Sequence, residues 1–473
     1  MSTQTSLLSL PDELLVRIVG KLANRRRRYN IKNLLLCATV CSRLGRIAQA
    51  ALFERIDVDA HGGCFEKLAN TLGRKTSLGQ LVTDYSVHLW RLSGGGAVAG
   101  FDQALARAKF AKAASAAFRS LSNLQTLALF DATSSQIDII LSHLGSRRLR
   151  AVQVTIVPMP QEREIWPRIW AHFAEHSSLH SLMFQLADIF EEVPALSKDC
   201  IPDFRPMPQV RQLCTSTQSW QVAFGSAVAI RKLFPNLEDL SVVVVHRNDT
   251  AWFSAQLADL SDGPQSLTVW STLRTSVPQD YLKDLPATVR HLCLGRNSFV
   301  EAELLAYLPT SPLRSLHFMF GTEGVDRILQ LLTGPTRPRS LRRIVLDHAK
   351  LPLSLENELC YDLDNEGRGE AYGEEILSSL RRRWRSAWPP GCTADKTRAA
   401  IAAAKAFGIA VEGSAVEVLE YDAIFERELF QSMMRDAKST DNYEKVFERF
   451  GEPAAIAWLW EKAPNTVRLA RAI

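Results

Sequence analysis

Apolar residues recur along most of this 473-residue chain in one short phrase. The phrase is an apolar residue, two variable residues, a second apolar residue, one variable residue and a third apolar residue. Its nine copies begin at Leu124, Leu149, Leu179, Val210, Leu237, Pro264, Val289, Leu313 and Leu341, with an earlier copy at Val82. The nine starts lie 24 to 31 residues apart. Each copy predicts a short strand, because side chains along a strand alternate between its two faces.

The segments between the copies have the spacing of amphipathic helices. Ile137, Ile140, Leu141 and Leu144, for example, fall on one helix face. One strand and one helix cannot bury their apolar faces alone, so the units are expected to stack into a continuous core. Residues 397–407 predict a helix and residues 408–412 a strand, which would form the last unit.

The N-terminal pattern is different and predicts three small helices. Pro11 fits the first turn of a helix, and the acidic pair that follows suits its positive dipole end. One helix face would carry Leu14, Leu15, Ile18, Val19 and Leu22. A second pattern comprises Val40, Cys41, Leu44, Ile47, Ala48 and Ala51, with the apolar segment 34–36 before it. About fifty residues bury too little apolar surface for independent stability, so this unit is expected to need a partner.

Residues 8–58, with the proline-led helix first and Val40-Cys41-Ser42-Arg43 later, resemble the F-box. The run Arg25–Arg28 departs from the compact family pattern and is read as a solvated loop insertion, or otherwise as a nuclear-localisation or phosphate-binding patch. The resemblance implies docking onto a Skp-type adaptor and, through it, onto a cullin of a ubiquitin ligase. The residues expected in the adaptor interface or in the small core behind it are Leu10, Pro11, Leu14, Leu15, Ile18, Val40, Cys41 and Leu44.

The repeated phrase resembles the leucine-rich repeat, although the asparagine that usually ends it is mostly absent. The expected fold is therefore α/β: an N-terminal three-helix F-box, a curved leucine-rich-repeat solenoid with parallel strands inside and helices outside, and a helical C-terminal cap. The expected boundaries are 1–60 for the F-box, 61–412 for the solenoid, and 413–473 for the cap. Insertions are expected near 91–118 and 351–371.

Variable positions of the phrase should face away from the core, on what is called here the open face of the strands. These residues are small, polar and sparsely charged, with a few large side chains, which favours a protein substrate over nucleic acid. The expected substrate-binding residues are Phe130, Met183, Asp239, Trp270, His291, His317 and Arg343, with Trp270 at the centre. Alternatively, these side chains pack only against one another or against an insertion.

Composition adds little to this interpretation. The 56 basic and 51 acidic residues nearly balance, so the net charge of +5 does not itself imply nucleic acid. We expect no signal peptide and no membrane segment, and eight scattered cysteines without a C-x-x-C pair suit a reduced cytoplasmic or nuclear protein.

Two short motifs suggest metal chemistry, and both are weak. His172-Phe173-Ala174-Glu175-His176 has the H-x-x-E-H spelling, but His180 nearby would fall on a strand. The acidic segment 362–367 resembles the start of a calcium loop, but Gly373 stands where the bidentate glutamate belongs. We therefore expect no cofactor, no metal and no catalytic activity. The expected function is substrate recognition within a Skp–cullin–F-box ubiquitin ligase, and the alternative is an adaptor-bound scaffold without a role in ubiquitination.

Overall fold

The structure is a computed structural model. It describes residues 10–24, 27–59, 64–89, 101–144, 148–157, 165–187, 205–245, 249–260, 263–272, 280–295, 298–299, 301–319, 332–334, 337–347, 394–413, 416 and 419. Over these residues the chain is α/β, with a twelve-stranded parallel sheet whose strands follow one another in chain order. The chain divides into two compact units, Met1–Ser241 and Val242–Ile473.

Three helices begin the first unit: α1 (Asp12–Asn24), α2 (Arg27–Val40) and α3 (Ser42–Glu54). They enclose a small core of their own. Its buried members are Leu15, Val19, Leu34, Leu44, Ile47 and Ala48. Cys41 sits between α2 and α3 in an extended conformation, and its thiol accepts a hydrogen bond from the Leu44 N–H, so it caps α3.

Strands and helices then alternate through the rest of the first unit. In chain order they are β1 (Arg55–Asp59), α4 (Cys64–Arg74), α5 (Thr76–Gly79), β2 (Asp84–His88), α6 (Phe101–Ser120), β3 (Thr126–Ala132), α7 (Ser134–Leu144), β4 (Ala151–Ile156), α8 (Trp166–Glu175), β5 (Ser181–Leu186), β6 (Gln212–Ser216), α9 (Thr217–Ala223), α10 (Ala227–Leu233) and β7 (Asp239–Val244), which carries the boundary between the units. Aromatic rings in edge-to-face and tilted contacts fill part of this core, and Trp170 touches Phe173, Phe184 and Phe224.

The second unit repeats the alternation with shorter elements. In chain order they are α11 (Asp249–Ala258), β8 (Ser266–Ser271), a 3₁₀ turn (Asp280–Asp284), β9 (His291–Leu294), α12 (Glu301–Tyr307), a 3₁₀ turn (Leu308–Thr310), β10 (Ser315–Phe318), β11 (Arg343–Leu346), α13 (Ala394–Ala406) and β12 (Ala410–Glu412). Phe253 and Tyr281 are buried and in ring contact.

Every copy of the phrase forms a strand, as predicted, and the predicted last helix and strand are α13 and β12. In-register pairing keeps the same phrase position side by side, so Leu127 lies beside Val152 and Leu316 beside Ile344. The apolar positions are buried and most positions between them are at least partly open. The result is a solenoid-like stack of strand-and-helix repeats within each unit. The F-box assignment, the curvature and the helical cap stay predictions.

Two elements differ from the expectation. Part of the segment near 91–118 that was expected to be an insertion is α6, which supplies a repeat helix, because Phe110, Ala114, Ala117 and Phe118 are buried. The strand β1 was not predicted, since it lacks the full phrase, yet it pairs in register with β2. Arg25, Arg26, the segment 351–371 with its calcium-like motif, and nearly all of the expected cap at 413–473 lie outside the described residues.

Candidate functional site

The residues predicted to serve the adaptor interface divide into two groups. Leu15 and Leu44 belong to the buried core of the three helices, whereas Leu14, Ile18 and Val40 are exposed. The proline at position 11 is also exposed, and Leu10 and Cys41 are half-buried against the core. The apolar residues predicted for one face of α1 thus occupy two sides of the helix. Leu15 and Val19 face the core, whereas Leu14 and Ile18 face solvent.

Exposed apolar side chains concentrate on the first two helices. The described residues expose nine large hydrophobic side chains, and six of them lie between residues 14 and 40. Those six are Leu14, Val16, Ile18, Leu35, Leu36 and Val40, and the other three are Val228, Trp270 and Phe407. Scattered exposed apolar residues are normal on a soluble protein, but their concentration on two helices makes these helices the candidate docking surface.

Polar contacts hold α1 against α3 without using these exposed residues. Asp12 accepts a 2.5 Å hydrogen bond from Arg43 Nε and a 3.2 Å hydrogen bond from Arg46. Arg43 also donates to the Leu10 carbonyl oxygen at 2.8 Å. The three-helix arrangement is therefore set by its core and by these contacts, which do not involve the exposed apolar side chains of α1 and α2.

The open face of the second unit has three levels, defined by strand register. Ser266, His291, Ser315 and Arg343 form the first level, and Thr268, Cys293, His317 and Val345 the second. Trp270 lies two residues beyond Thr268, at the third level. His291 is therefore separated from Trp270 by four residues along the strands, about 13 Å. The sequence placed Trp270 at the centre of the predicted substrate-binding set, with His291 on the next strand, and the strand register puts these two residues at different levels of the face.

Trp270 is the largest exposed side chain of this face, with 38% of its surface accessible. It stands beside Gly295, where any side chain would collide with it. A glycine at this place lets the chain directly after β9 approach the tryptophan closely. The indole is thus presented on the open face as a large amphipathic surface of the kind that anchors protein partners.

His317 connects two neighbours on this face. Its Nε2 lies 2.8 Å from Asp347 Oδ2, and its Nδ1 lies 3.3 Å from Cys293 Sγ. Burial raises the pKa of the Cys293 thiol to about 11, with a further increase from the charge of Asp347, while a hydrogen bond with the Thr268 side chain opposes both. Sequence spacing did not reveal this cluster as a site.

Arg343, also predicted to bind substrate, is engaged by β12. Its guanidinium donates to Glu412 Oε2 from two nitrogens, at 2.7 and 3.1 Å. Both side chains are about half exposed, so the pair remains within reach of a ligand.

In the first unit the predicted substrate residues are partly occupied by neighbours. Phe130 stacks on His88 with ring centroids 4.5 Å apart, and His88 Nε2 lies 3.7 Å from Asp57. Asp239 accepts a 3.2 Å hydrogen bond from Gln212. Met183 is half-buried at its open-face position. Phe130 and Asp239 therefore contact neighbouring side chains of the open face, which is the kind of packing that the alternative to substrate binding describes.

The H-x-x-E-H motif is divided among different environments. His176 is buried at the end of α8, His172 lies 3.6 Å from Asp138, and His180 is exposed. Over the described ranges, no group of three or more His, Cys, Asp or Glu side chains is placed to hold a metal ion.

Comparison with known proteins gives no match, either to a protein-family model or to a curated protein. Of the helices in the described part of the chain, none combines the length and the apolar character that crossing a membrane requires.

Proposed function

We propose that this protein is the substrate-recognition subunit of a Skp–cullin–F-box ubiquitin ligase. The three N-terminal helices would dock onto a Skp-type adaptor, and the open face of the strands would hold a protein substrate. Such a receptor performs no chemistry itself. It raises the effective concentration of its substrate near the ubiquitin-charged enzyme that the rest of the complex recruits.

The observation that carries this proposal is the concentration of exposed apolar side chains on α1 and α2. Leu14 and Ile18 are one turn apart on α1, and Leu36 and Val40 are one turn apart on α2. An apolar partner would bury these surfaces, and each fully buried side chain of this size contributes about 1.5–3 kcal/mol. The order of the helices and the position of Pro11 support the F-box resemblance on the same residues.

The open face supports the second half of the proposal. Trp270 offers an aromatic anchor, and the adjacent level of the open face carries polar residues such as Thr268 and His317. An aromatic anchor with polar residues around it is typical of protein interfaces. In the described repeats, basic residues of the open face do not form the continuous stripe that nucleic acid would require.

The test is direct binding of the full chain to a purified Skp-type adaptor. Leu14→Ala combined with Ile18→Ala should weaken binding by about a hundredfold or more, since about 3 kcal/mol of apolar contact is removed. Val228→Ala is the control, because Val228 is an exposed apolar residue of α10, outside the three N-terminal helices. Undiminished adaptor binding by the double variant would overturn the proposal.

The alternative, an adaptor-bound scaffold without a role in ubiquitination, rests on the same three helices. Affinity purification distinguishes the two functions when it is done with and without a proteasome inhibitor, using the intact protein and a form lacking residues 1–58. Cullin recovery with the intact protein only, together with partners that accumulate under inhibition, is expected for a substrate receptor. Adaptor without cullin is the result expected for a scaffold.

A further inference from the structure

Cys293, His317 and Asp347 form a linked group on adjacent strands of the second unit. Cys293 and His317 are in-register partners on β9 and β10, and Asp347 follows β11. The sulfur lies 3.3 Å from one imidazole nitrogen, and the carboxylate lies 2.8 Å from the other. This is a nucleophile, a base and a group that orients the base, in contact in that order.

The positions of the protons follow from what each group can donate. An ionised Asp347 carboxylate only accepts, so the proton of the neutral imidazole belongs on His317 Nε2. The lone pair of Nδ1 then faces the Cys293 thiol, which donates its S–H. His317 can therefore take the thiol proton, and the Asp347 charge would stabilise the imidazolium that forms.

Burial works against spontaneous ionisation of the same thiol. Because the pKa of Cys293 is raised to about 11, little thiolate exists at neutral pH. Reaction at this sulfur therefore depends on transfer of the proton to His317 during attack. Dependence on one named base distinguishes this cysteine from an ordinary surface thiol.

We infer that Cys293 is a nucleophile assisted by His317, and that its thiol is a covalent modification site for uncharged α,β-unsaturated carbonyl compounds. Asp347 interacts electrostatically with Arg343, whose guanidinium is paired with Glu412, so these three groups together carry a net negative charge that disfavours anionic reagents. Exposed Trp270 at the adjacent level offers an apolar surface to the remainder of the molecule. This inference does not depend on the proposed ubiquitin-ligase function.

The addition balances without another reactant. The thiol proton passes to His317 Nδ1 as the sulfur forms a bond to the β-carbon of the reagent. The carbon–carbon π bond breaks, and its electron pair moves through the α-carbon to the carbonyl oxygen. The resulting enolate takes the proton back from His317, so the net change is addition of S–H across the double bond. Asp347 acts as a positioning residue through His317.

Cys214 provides an internal control. It occupies the same phrase position on β6, and burial raises the pKa of its thiol as well. Its side-chain hydrogen bonds go to Ser241 and Gln185, neither of which is a base at neutral pH. If burial alone mattered, both thiols would react slowly. If His317 assists, only the Cys293 thiol reacts fast.

The experiment treats the reduced full chain with N-ethylmaleimide between pH 5 and pH 9 and follows labelling of each cysteine by peptide mass spectrometry. Cys293 should react faster than Cys214. His317→Gln should slow Cys293 by about a hundredfold, at the lower end of general-base effects, and leave Cys214 unchanged. Cys214 lies in the first unit, so the folding of the second unit in this variant is checked separately, by denaturant unfolding of the full chain.

The pH profile separates base assistance from simple ionisation. In His317→Gln the Cys293 rate should rise about tenfold per pH unit, as thiolate forms from solution. In the wild type the rate should rise less steeply with pH, because His317 takes the thiol proton during attack. Asp347→Asn should reduce the advantage of the wild type over His317→Gln, and Asp347→Glu should restore it. Equal Cys293 rates in the wild type and His317→Gln, or a tenfold rise per pH unit in both, would overturn the inference.

Discussion

Trp270 Cβ occupies the space where a side chain of Gly295 would begin. A Cβ added to Gly295 would collide with Trp270 Cβ and lie 3.2 Å from Trp270 Cα. Because the nearest atoms belong to the backbone and its first carbon, rotation of the indole cannot relieve the contact. Gly295→Ala should therefore lower the free energy of unfolding by about 1–3 kcal/mol, the usual effect of overpacking. Denaturant unfolding of the full chain measures this loss.

Gly73→Ala is the control for that substitution. Its added Cβ would lie 3.2 Å from Ala116 Cβ, which is a tighter than usual contact but a tolerable one. Gly73 also lies in the last turn of α4, where alanine is favoured over glycine by at most about 1 kcal/mol. The two effects oppose each other, so Gly73→Ala should change stability less. Equal destabilisation by both variants would show that the Trp270 contact is not the cause.

Substrate capture should depend on the open face of the second unit. Trp270→Ala combined with His317→Ala removes the exposed anchor and the side chain that contacts both Cys293 and Asp347. Affinity purification should then recover less of the partners that accumulate under proteasome inhibition, while adaptor recovery stays at the wild-type level. If every partner of the wild type is retained, the substrate site lies elsewhere in the chain.

The strand positions could be predicted from the sequence because the apolar positions of the phrase are the residues that the strands bury. Each of the ten strands that follow the phrase begins two residues after its first apolar position, from Asp84 after Val82 to Arg343 after Leu341. Parallel in-register pairing then places equal phrase positions side by side. That rule already brings Cys293 next to His317, so part of the cluster was within reach of the sequence.

Other features could not be predicted, for identifiable reasons. Asp347 follows β11 and reaches His317 diagonally, and the phrase contains no information on side-chain reach. Leu35 and Leu36 are apolar in sequence yet exposed, whereas Leu34 beside them is buried. Hydropathy alone does not distinguish an apolar residue that is buried in a core from one that is exposed on the surface.

Ser219 has a structural role that its type would not suggest. Its hydroxyl accepts a 2.7 Å hydrogen bond from the Leu186 N–H at the end of β5, and it lies 2.6 Å from Ser216 Oγ. Ser219→Ala would leave that buried N–H without this acceptor, so the unfolding free energy should fall by about 1–3 kcal/mol. Ser142→Ala, which loses only an exposed bond within α7, should stay within about 0.5 kcal/mol of the wild type. Denaturant unfolding compares them, and similar values for the two variants would contradict this role.

Leu14 and Leu15 are neighbours in α1 with opposite environments. Substitutions at the two positions therefore distinguish an effect on folding from an effect on adaptor binding. Leu15 is fully buried in the three-helix core, whereas 42% of the Leu14 surface is exposed. Leu15→Ala removes core contacts and leaves a cavity, which costs about 2–5 kcal/mol. Hydrogen exchange should then accelerate across α1 to α3, since the local opening energy falls by that amount.

Leu14→Ala should leave the exchange of these helices unchanged and still weaken adaptor binding, because Leu14 contributes little to the core. Hydrogen exchange and adaptor binding together should therefore assign Leu15 to the core and Leu14 to docking. If Leu14→Ala accelerated exchange as much as Leu15→Ala, its effect on binding would have to be attributed to unfolding. A docking role for the exposed side of α1 would then lose its support.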